Sequence, residues 1–200
     1  MEVFRQYNLG VFPIQFLFLL LAVAVLAFAI WPKKNAGRAI SAILGLLWLW
    51  MGIVYHWGYF AGINKAAYFF GAIFVVQGGL FLVKGVLRNQ LNFSHRPTPA
   101  VWAGSAMMLY SLVVYPLLGC ILGHSYPASP TFGLPCPTTI FTLGILLWLD
   151  KKPPFYLLLI PLAWSVIGTV AAFKLGIRED IGLAVAGGLT VLLMIRRRPL

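Results

Sequence analysis

The sequence predicts an all-α protein, a polytopic membrane helical bundle of seven transmembrane helices, with the N-terminus outside and the C-terminus in the cytoplasm. Two observations lead to this fold class. The chain is 61% hydrophobic and only 10% charged, and its charged residues fall almost entirely between long apolar runs. Each run approaches or exceeds the ~17–20 residues that a helix needs to cross a hydrocarbon core. The seven runs are 11–31, 39–60, 66–87, 99–122, 135–149, 155–173 and 180–195.

The basic residues fall mainly on one side of this threading, because successive connections alternate between the two sides of a membrane. Eleven of the fifteen Lys and Arg residues share that side: Lys33, Lys34, Arg38, Lys84, Arg88, Arg96, Lys151, Lys152, Arg196, Arg197 and Arg198. The other side receives Arg5, Lys65, Lys174 and Arg178. Cytoplasmic loops carry an excess of Lys and Arg. The basic side is therefore predicted to be cytoplasmic.

The connections are too short to form a separate water-soluble domain. The longest has about a dozen residues, far below the size of an independent core, so residues 1–200 are predicted to form a single integral membrane domain. The net charge of +11 is explained by the orienting charges of short loops and by their attraction to the lipid bilayer. No basic stripe interleaved with base-stacking aromatics stands in a soluble stretch, so no nucleic-acid partner is predicted.

The runs are expected to be helices, because a spanning segment must satisfy its own backbone hydrogen bonds. They are also continuously apolar, whereas barrel strands alternate in polarity. The first run is a retained span rather than a cleaved signal peptide, since Lys33 and Lys34 follow it directly. Glycines recur every seven residues in the second and third runs, which predicts a close approach of backbones. These glycines are Gly45 and Gly52, then Gly71, Gly78 and Gly85.

The fifth run is the most unusual, because prolines interrupt its beginning. Pro130, Pro135 and Pro137 each fix φ and prevent a regular helix before about residue 136. Roughly 13 residues are left, too few to cross a bilayer unaided. Irregular backbone before this helix must then lie below the membrane surface, which is tolerated only when it is buried in protein or lines a wet cavity. In the seventh run, Glu179 and Asp180 stand where carboxylates complement a helix dipole.

The side chains capable of chemistry collect at the outer ends of the predicted helices, where we expect an outward-facing pocket. The candidate ligand-binding residues are His56, Asn64, His124, Cys136, Thr138 and Thr139. Free N–H groups around Thr138 and Thr139 would bind an anion or a carbonyl oxygen, and His56 would point into the bundle because it shares a face with Gly52. Two plainer alternatives remain open: a rigid Pro-rich cap, and an interfacial histidine within an aromatic belt.

Three classes of function are open at this stage. The first is transporter-like, with binding or translocation of a small neutral or weakly charged molecule, since no charged side chain lies deep in the predicted bundle. The second is a metal- or haem-dependent membrane enzyme or redox component, in which His56, His124 and Cys136 hold the metal or haem. The third is a non-catalytic subunit of a homo-oligomer or a larger membrane complex. The sequence identifies no cofactor, and leaves open whether Cys120 and Cys136 are bridged.

Several stretches resemble an uncharacterised family of bacterial multi-pass membrane proteins, a domain-of-unknown-function family. They include LGVFPIQ, VVYPLLG, GHSYPASPTFGLPCPTTIF and REDIGLAVAG. The family pattern implied by this resemblance contains Tyr55, His56, Asn64, His124, Pro135, Cys136, Pro137, Thr138, Thr139, Glu179 and Asp180, but not Cys120. The resemblance implies a location in the bacterial inner membrane and a shared outward-facing site, without implying an activity.

Overall fold

The computed structural model describes residues 1–196, except for the side chain of Leu175. Over this range the chain is all-helical, with eight helices and no β-strand. The helices are α1 (Glu2–Gly10), α2 (Ile14–Ile30), α3 (Ala36–Gly62), α4 (Ala67–Leu87), α5 (Pro99–Ile121), α6 (Pro135–Leu146), α7 (Phe155–Leu175) and α8 (Ile181–Arg196). The all-α prediction is confirmed, and each of the seven apolar runs coincides with one of the helices α2 to α8.

Helix length and composition single out part of the bundle as able to cross a membrane. Within residues 1–196, four helices, α3, α4, α5 and α7, are long and apolar enough, and a fifth span results if α1 and α2 are counted together. Those two helices meet at an angle of 84°. Helix α6 is apolar but has only 12 residues. These findings are those of a membrane protein, with fewer helices of full spanning length than the sequence predicts.

Helix α1 is a feature that the hydropathy pattern does not reveal. It is amphipathic: Phe4 and Tyr7, three residues apart, are buried, whereas Glu2 and Arg5 are exposed and form an ion pair with an N–O distance of 2.9 Å. Its apolar face packs on the end of α3, where the Tyr7 ring lies edge-on to the ring of Tyr55, with a centroid distance of 5.4 Å. Helix α1 therefore covers one end of the bundle.

Glycines set the contact between α3 and α4, as the seven-residue spacing predicts. An ideal Cβ on Gly78 would lie 3.0 Å from the carbonyl oxygen of Gly45, and one on Gly52 would lie 2.7 Å from that of Gly71. A Cβ on Gly85 would overlap the side chain of Ser41. Contacts this short leave no room for a side chain, so the two backbones touch directly.

Helix α6 occupies the centre of the bundle. All of its residues except Cys136 are buried, and it packs against α5, α7 and α8. A helix that is apolar on every side is suited to such full enclosure. Two hydrogen bonds tie its polar groups to its neighbours: Trp48 Nε1 donates to Thr142 Oγ1 at 3.0 Å, and Ser111 Oγ donates to Pro137 O at 2.6 Å.

The connections gather at two opposite ends of the bundle. At one end, the first helix reaches the loop before α6, since Asn8 Nδ2 donates to the carbonyl oxygens of Pro127 and Ser129 at 2.7 and 2.8 Å. At the other end, the loop after α4 meets the loop after α6, where Asp150 N donates to Asn92 O at 2.9 Å. Arg197 and Arg198, which the sequence assigns to the cytoplasmic end, lie outside the described residues.

Replacing Gly78 by alanine is expected to lower the free energy of unfolding by about 1–3 kcal/mol, because the new methyl group would press on the backbone of Gly45. Gly79→Ala is the matched control, since a Cβ there meets no atom within 4 Å, and is expected to be neutral or to stabilise by up to ~1 kcal/mol. Unfolding by sodium dodecyl sulfate in bicelles measures both. Equal stability of the two variants would contradict the direct backbone contact.

Candidate functional site

A cavity of about 580 Å³ opens at the end of the bundle that α1 covers. It lies between α1, the outer part of α3, the start of α6 and the second half of α7. Its wall is largely apolar and includes Phe4, Phe60, Phe70, Leu134, Ile167 and Ala171. Exposed polar side chains mark the mouth, namely Glu2, Gln6, Asn64 and Lys174. Cys136, Trp164 and Asp180 line the buried part.

The start of α6 forms one wall, and its local sequence determines its shape. Leu134 is extended, with a ψ of 158°, and the helix begins at Pro135, whose missing N–H costs nothing in the first turn. Gly133 has a φ of +101°, a conformation that side-chain-bearing residues rarely adopt. The backbone N–H of Gly133 donates to Thr138 Oγ1 at 3.0 Å. This turn brings Cys136 to the cavity wall.

The thiol of Cys136 lies in a polar corner of the cavity. It contacts the carboxyl group of Asp180 and the indole of Trp164. Cys120 and Cys136 are both free thiols, so the disulfide that the sequence left open does not form. These two contacts come from α7 and from the turn before α8, and both segments are distant from Cys136 in the sequence.

Two carboxylates, Glu179 and Asp180, form a buried acidic pair in the short 3-10 turn Arg178–Asp180. Glu179 is 1% exposed and Asp180 is 2% exposed. Each has its own partner. The imidazole Nδ1 of His124 lies 2.9 Å from Glu179 Oε1, and Tyr115 donates its hydroxyl hydrogen to Asp180 Oδ1 at 2.5 Å. Glu179 is paired with His124 and does not line the cavity. Asp180 is therefore the buried carboxylate that borders it.

His56 is 0% exposed and points into the bundle, as its position on the face of Gly52 predicts. It stands in a π-helical segment of α3, Met51–Tyr59. Five aromatic rings surround its imidazole: those of Tyr55, Phe60, Phe70, Phe74 and Trp164, at centroid distances of 4.7–5.9 Å. Neither ring nitrogen has a hydrogen-bond partner among the described residues. His56 thus lies behind the cavity wall, of which four of these five rings form part.

The remaining candidate residues separate into two groups. Asn64 lines the cavity mouth, and its side chain accepts a hydrogen bond from Ala66 N at 3.0 Å. Thr138 and Thr139 are fully buried inside α6 and do not line the cavity. The free N–H expected at Thr138 is not available, because it donates to Leu134 O at 3.2 Å. Of the six candidates, the cavity wall contains Asn64 and Cys136.

Sequence analysis did not single out Trp164 as part of the site. Tyr115 appeared there only within a sequence stretch, and Asp180 was placed at a helix terminus and within the pattern that the family resemblance implies. Trp164 stands in a continuous apolar run, where nothing distinguishes a cavity-lining tryptophan from a lipid-facing one. The pattern of α1 does carry a signal, because Phe4, Tyr7 and Val11 recur at helical spacing.

A metal site does not form from these residues. In the part of the chain that the structure covers, no three His, Cys, Asp or Glu side chains converge closely enough to hold a metal ion. His56, His124 and Cys136 therefore do not form a three-ligand metal site. The cavity instead offers a large apolar surface with a few donors and acceptors at its buried end, an arrangement typical of small-molecule binding sites.

Replacing His56 by phenylalanine is expected to stabilise the protein by about 1 kcal/mol, because it removes two buried polar atoms that lack partners. His124→Phe is the control and is expected to destabilise by about 3 kcal/mol, because it leaves the carboxylate of Glu179 buried without its partner. Unfolding in bicelles compares the two. A loss of stability in the His56 variant would show that the imidazole has a partner.

Comparison with known proteins gives one match. Searches of curated proteins and of solved structures find nothing that matches the chain. A family model does match, over residues 1–199, and it describes a family of unknown function. This match confirms the resemblance to an uncharacterised family that the sequence motifs indicate. The chain belongs to DUF6064, a family of unknown function.

Proposed function

We propose that this protein is a multi-pass protein of the bacterial inner membrane that binds a small, largely apolar, neutral or weakly charged molecule in the cavity beside Cys136. The protein is embedded in the lipid bilayer, with its N-terminus outside and its C-terminus in the cytoplasm. The observation that carries this proposal is the cavity itself. Its volume of about 580 Å³ falls within the range of ~300–1,000 Å³ that is usual for small-molecule sites.

The distribution of charge supports the orientation. Among residues 1–196, nine Lys and Arg residues belong to the end away from the cavity, and Arg5, Lys65, Lys174 and Arg178 belong to the cavity end. Positively charged loops stay in the cytoplasm. The cavity would then open to the outside.

The proposed number of spans follows from the way successive connections alternate between the two ends of the bundle. Helix α6 is too short to cross a hydrocarbon core alone, but the irregular segment before it is packed against α1 and contributes to the crossing. Buried irregular backbone is tolerated at membrane depth when protein encloses it. With α6 and α8 counted as crossings, the chain has seven spans in a single membrane domain.

Binding is better supported than passage through the bundle. Below the cavity, the rings of His56, Phe74 and Trp164 pack edge-on at centroid distances of 4.7–5.3 Å. Trp48 closes the layer, with its ring 4.6 Å from that of Phe74. A molecule passing further would have to separate these rings. This packing favours a binding site that ends inside the bundle.

Topology can be tested with single-cysteine variants of a Cys120→Ser, Cys136→Ser protein in intact cells. A maleimide that cannot cross membranes is expected to label a cysteine placed at Gly62 or Ser129, because both positions are assigned to the outside. Cysteines at Asn35 or Asn92 serve as the controls and should react only after the membrane is disrupted. Labelling at Asn35 or Asn92 in intact cells would reverse the orientation.

Access to the cavity can be tested with Cys120→Ser protein, in which Cys136 is the remaining thiol. Methyl methanethiosulfonate, a small neutral reagent, is expected to modify Cys136 in nanodiscs. Ala171→Phe fills the cavity wall and should slow the reaction roughly tenfold, equivalent to about 1.4 kcal/mol for opening the blocked space. Val166→Phe is the control, because Val166 lies on the same helix but is 65% exposed. Intact-mass spectrometry follows the reaction.

Binding itself is tested by protection of the same thiol. A neutral apolar probe, n-decane, added to the nanodiscs is expected to slow modification of Cys136 in the Val166→Phe protein. The Ala171→Phe variant should show no further protection. If n-decane and its polar derivatives all leave the rate unchanged in the unblocked protein, the proposed binding function is wrong.

A further inference from the structure

The buried end of the cavity presents an acceptor with spare capacity. The carboxylate of Asp180 accepts one hydrogen bond from Tyr115 at Oδ1 and contacts the thiol of Cys136. A carboxylate has about four lone-pair sites, so these two groups do not saturate it. Asp180 is 2% exposed and lines the cavity. A molecule in the cavity can therefore donate a hydrogen bond to it.

The same end presents a donor that lacks an acceptor. Trp164 is 6% exposed and lines the cavity, and its indole N–H has no hydrogen-bond partner anywhere in residues 1–196. Its polar neighbour is the sulfur of Cys136, a weak acceptor. Gly168 also lines the cavity, and an ideal Cβ built on it would lie 3.1 Å from Trp164 Nε1. Glycine at this position therefore leaves the indole N–H uncovered on that side. An unpaired buried donor is costly, and a bound acceptor would remove that cost.

One thiol has both the unpaired donor and the unsaturated acceptor as neighbours, since Cys136 contacts Trp164 and Asp180, and all three residues line the cavity. A single small group that donates and accepts can serve both. A hydroxyl has one donor hydrogen and two acceptor lone pairs. An ammonium group has no lone pair for the indole, and a carboxylate would be repelled by Asp180. A hydrocarbon would leave the indole unpaired.

We propose, on the basis of the binding function above, that the ligand is an apolar alcohol whose hydroxyl donates to Asp180 and accepts from Trp164. The hydrocarbon body lies against the aromatic and aliphatic wall that leads to the mouth. A cationic head group is disfavoured, because an ion entering this apolar space loses its hydration and an ammonium group leaves the indole N–H without an acceptor. The site thus selects its ligand by a neutral head group.

The test compares four probes of one chain length, n-decane, n-decanol, n-decylamine and decanoate, by protection of Cys136 in Cys120→Ser protein. Concentrations are expressed as mole fractions in the nanodisc lipid, so that partitioning into the bilayer does not enter. Half-protection by n-decanol is expected at a mole fraction about tenfold below that of n-decane, the net effect of one hydrogen bond to a carboxylate and one from the indole. Decylamine and decanoate are expected to protect less than n-decanol.

Trp164→Phe removes the indole N–H and keeps an aromatic ring. It is expected to raise the half-protecting mole fraction of n-decanol roughly threefold to tenfold relative to that of n-decane measured in the same variant. Trp102→Phe is the matched control, since Trp102 is 68% exposed on the outer surface of the bundle, and should alter neither value. Asp180→Asn gives a second readout if the Trp164 variant does not fold, because removing the charge should improve protection by decanoate.

Each outcome decides between the two proposals. Absence of protection by all four probes overturns the binding function and the hydroxyl proposal together. Equal protection by n-decane and n-decanol leaves the binding function in place and overturns the hydroxyl proposal. Stronger protection by n-decylamine overturns it in favour of a cationic ligand. An n-decanol value that Trp164→Phe leaves unchanged relative to n-decane also overturns it, and so does a decanoate value that Asp180→Asn leaves unchanged.

Discussion

The short central helix α6 is the constraint on which the rest of the structure depends. It has 12 residues and is almost wholly enclosed, so every polar group at its ends must find a partner inside the protein. Pro135, its first residue, keeps Leu134 extended and so prevents an earlier helical start. The space that a full-length helix would have filled is instead enclosed by α1, α7 and the loop before α6. The cavity is the part of that space which side chains do not fill.

The polar groups around this space differ in whether they have hydrogen-bond partners. Glu179, Tyr115 and Thr138 have close partners, and these contacts hold the turn before α8 and the start of α6 in place. His56 and Trp164 retain unpaired nitrogens within the described structure. A buried polar atom without a partner costs ~1–3 kcal/mol. The unpaired nitrogens of His56 and Trp164 lie beside the cavity, as expected where stability is sacrificed for binding.

Close glycine contacts make the arrangement rigid. The α3–α4 pair touches through Gly45 and Gly78, and the α5–α6 pair through Gly104 and Gly144, where a Cβ on Gly144 would lie 2.7 Å from the carbonyl oxygen of Gly104. The hydrophobic effect does not drive helices together in lipid, so close van der Waals packing at this distance holds these pairs together instead. It fixes α3 and α6, the two helices whose ends carry Tyr55 and Cys136 to the cavity.

The sequence by itself determined helices α2 to α8, their order and the asymmetry of charge, because hydropathy and loop charge are local properties of the chain. It also determined the glycine face of α3 and α4 and the irregular start of α6, since helical spacing and proline geometry are local too. For His56 it left two directions open, inward or within an aromatic belt, and the structure decided for the inward one. Only the tertiary structure decided which residues share the cavity. Asp180, Trp164 and Cys136 meet through the packing of three separate segments, and α1, which makes an angle of 84° with α2, covers them. The distances between these residues depend on how the helices pack against one another. The residue pattern along a single helix does not specify that packing.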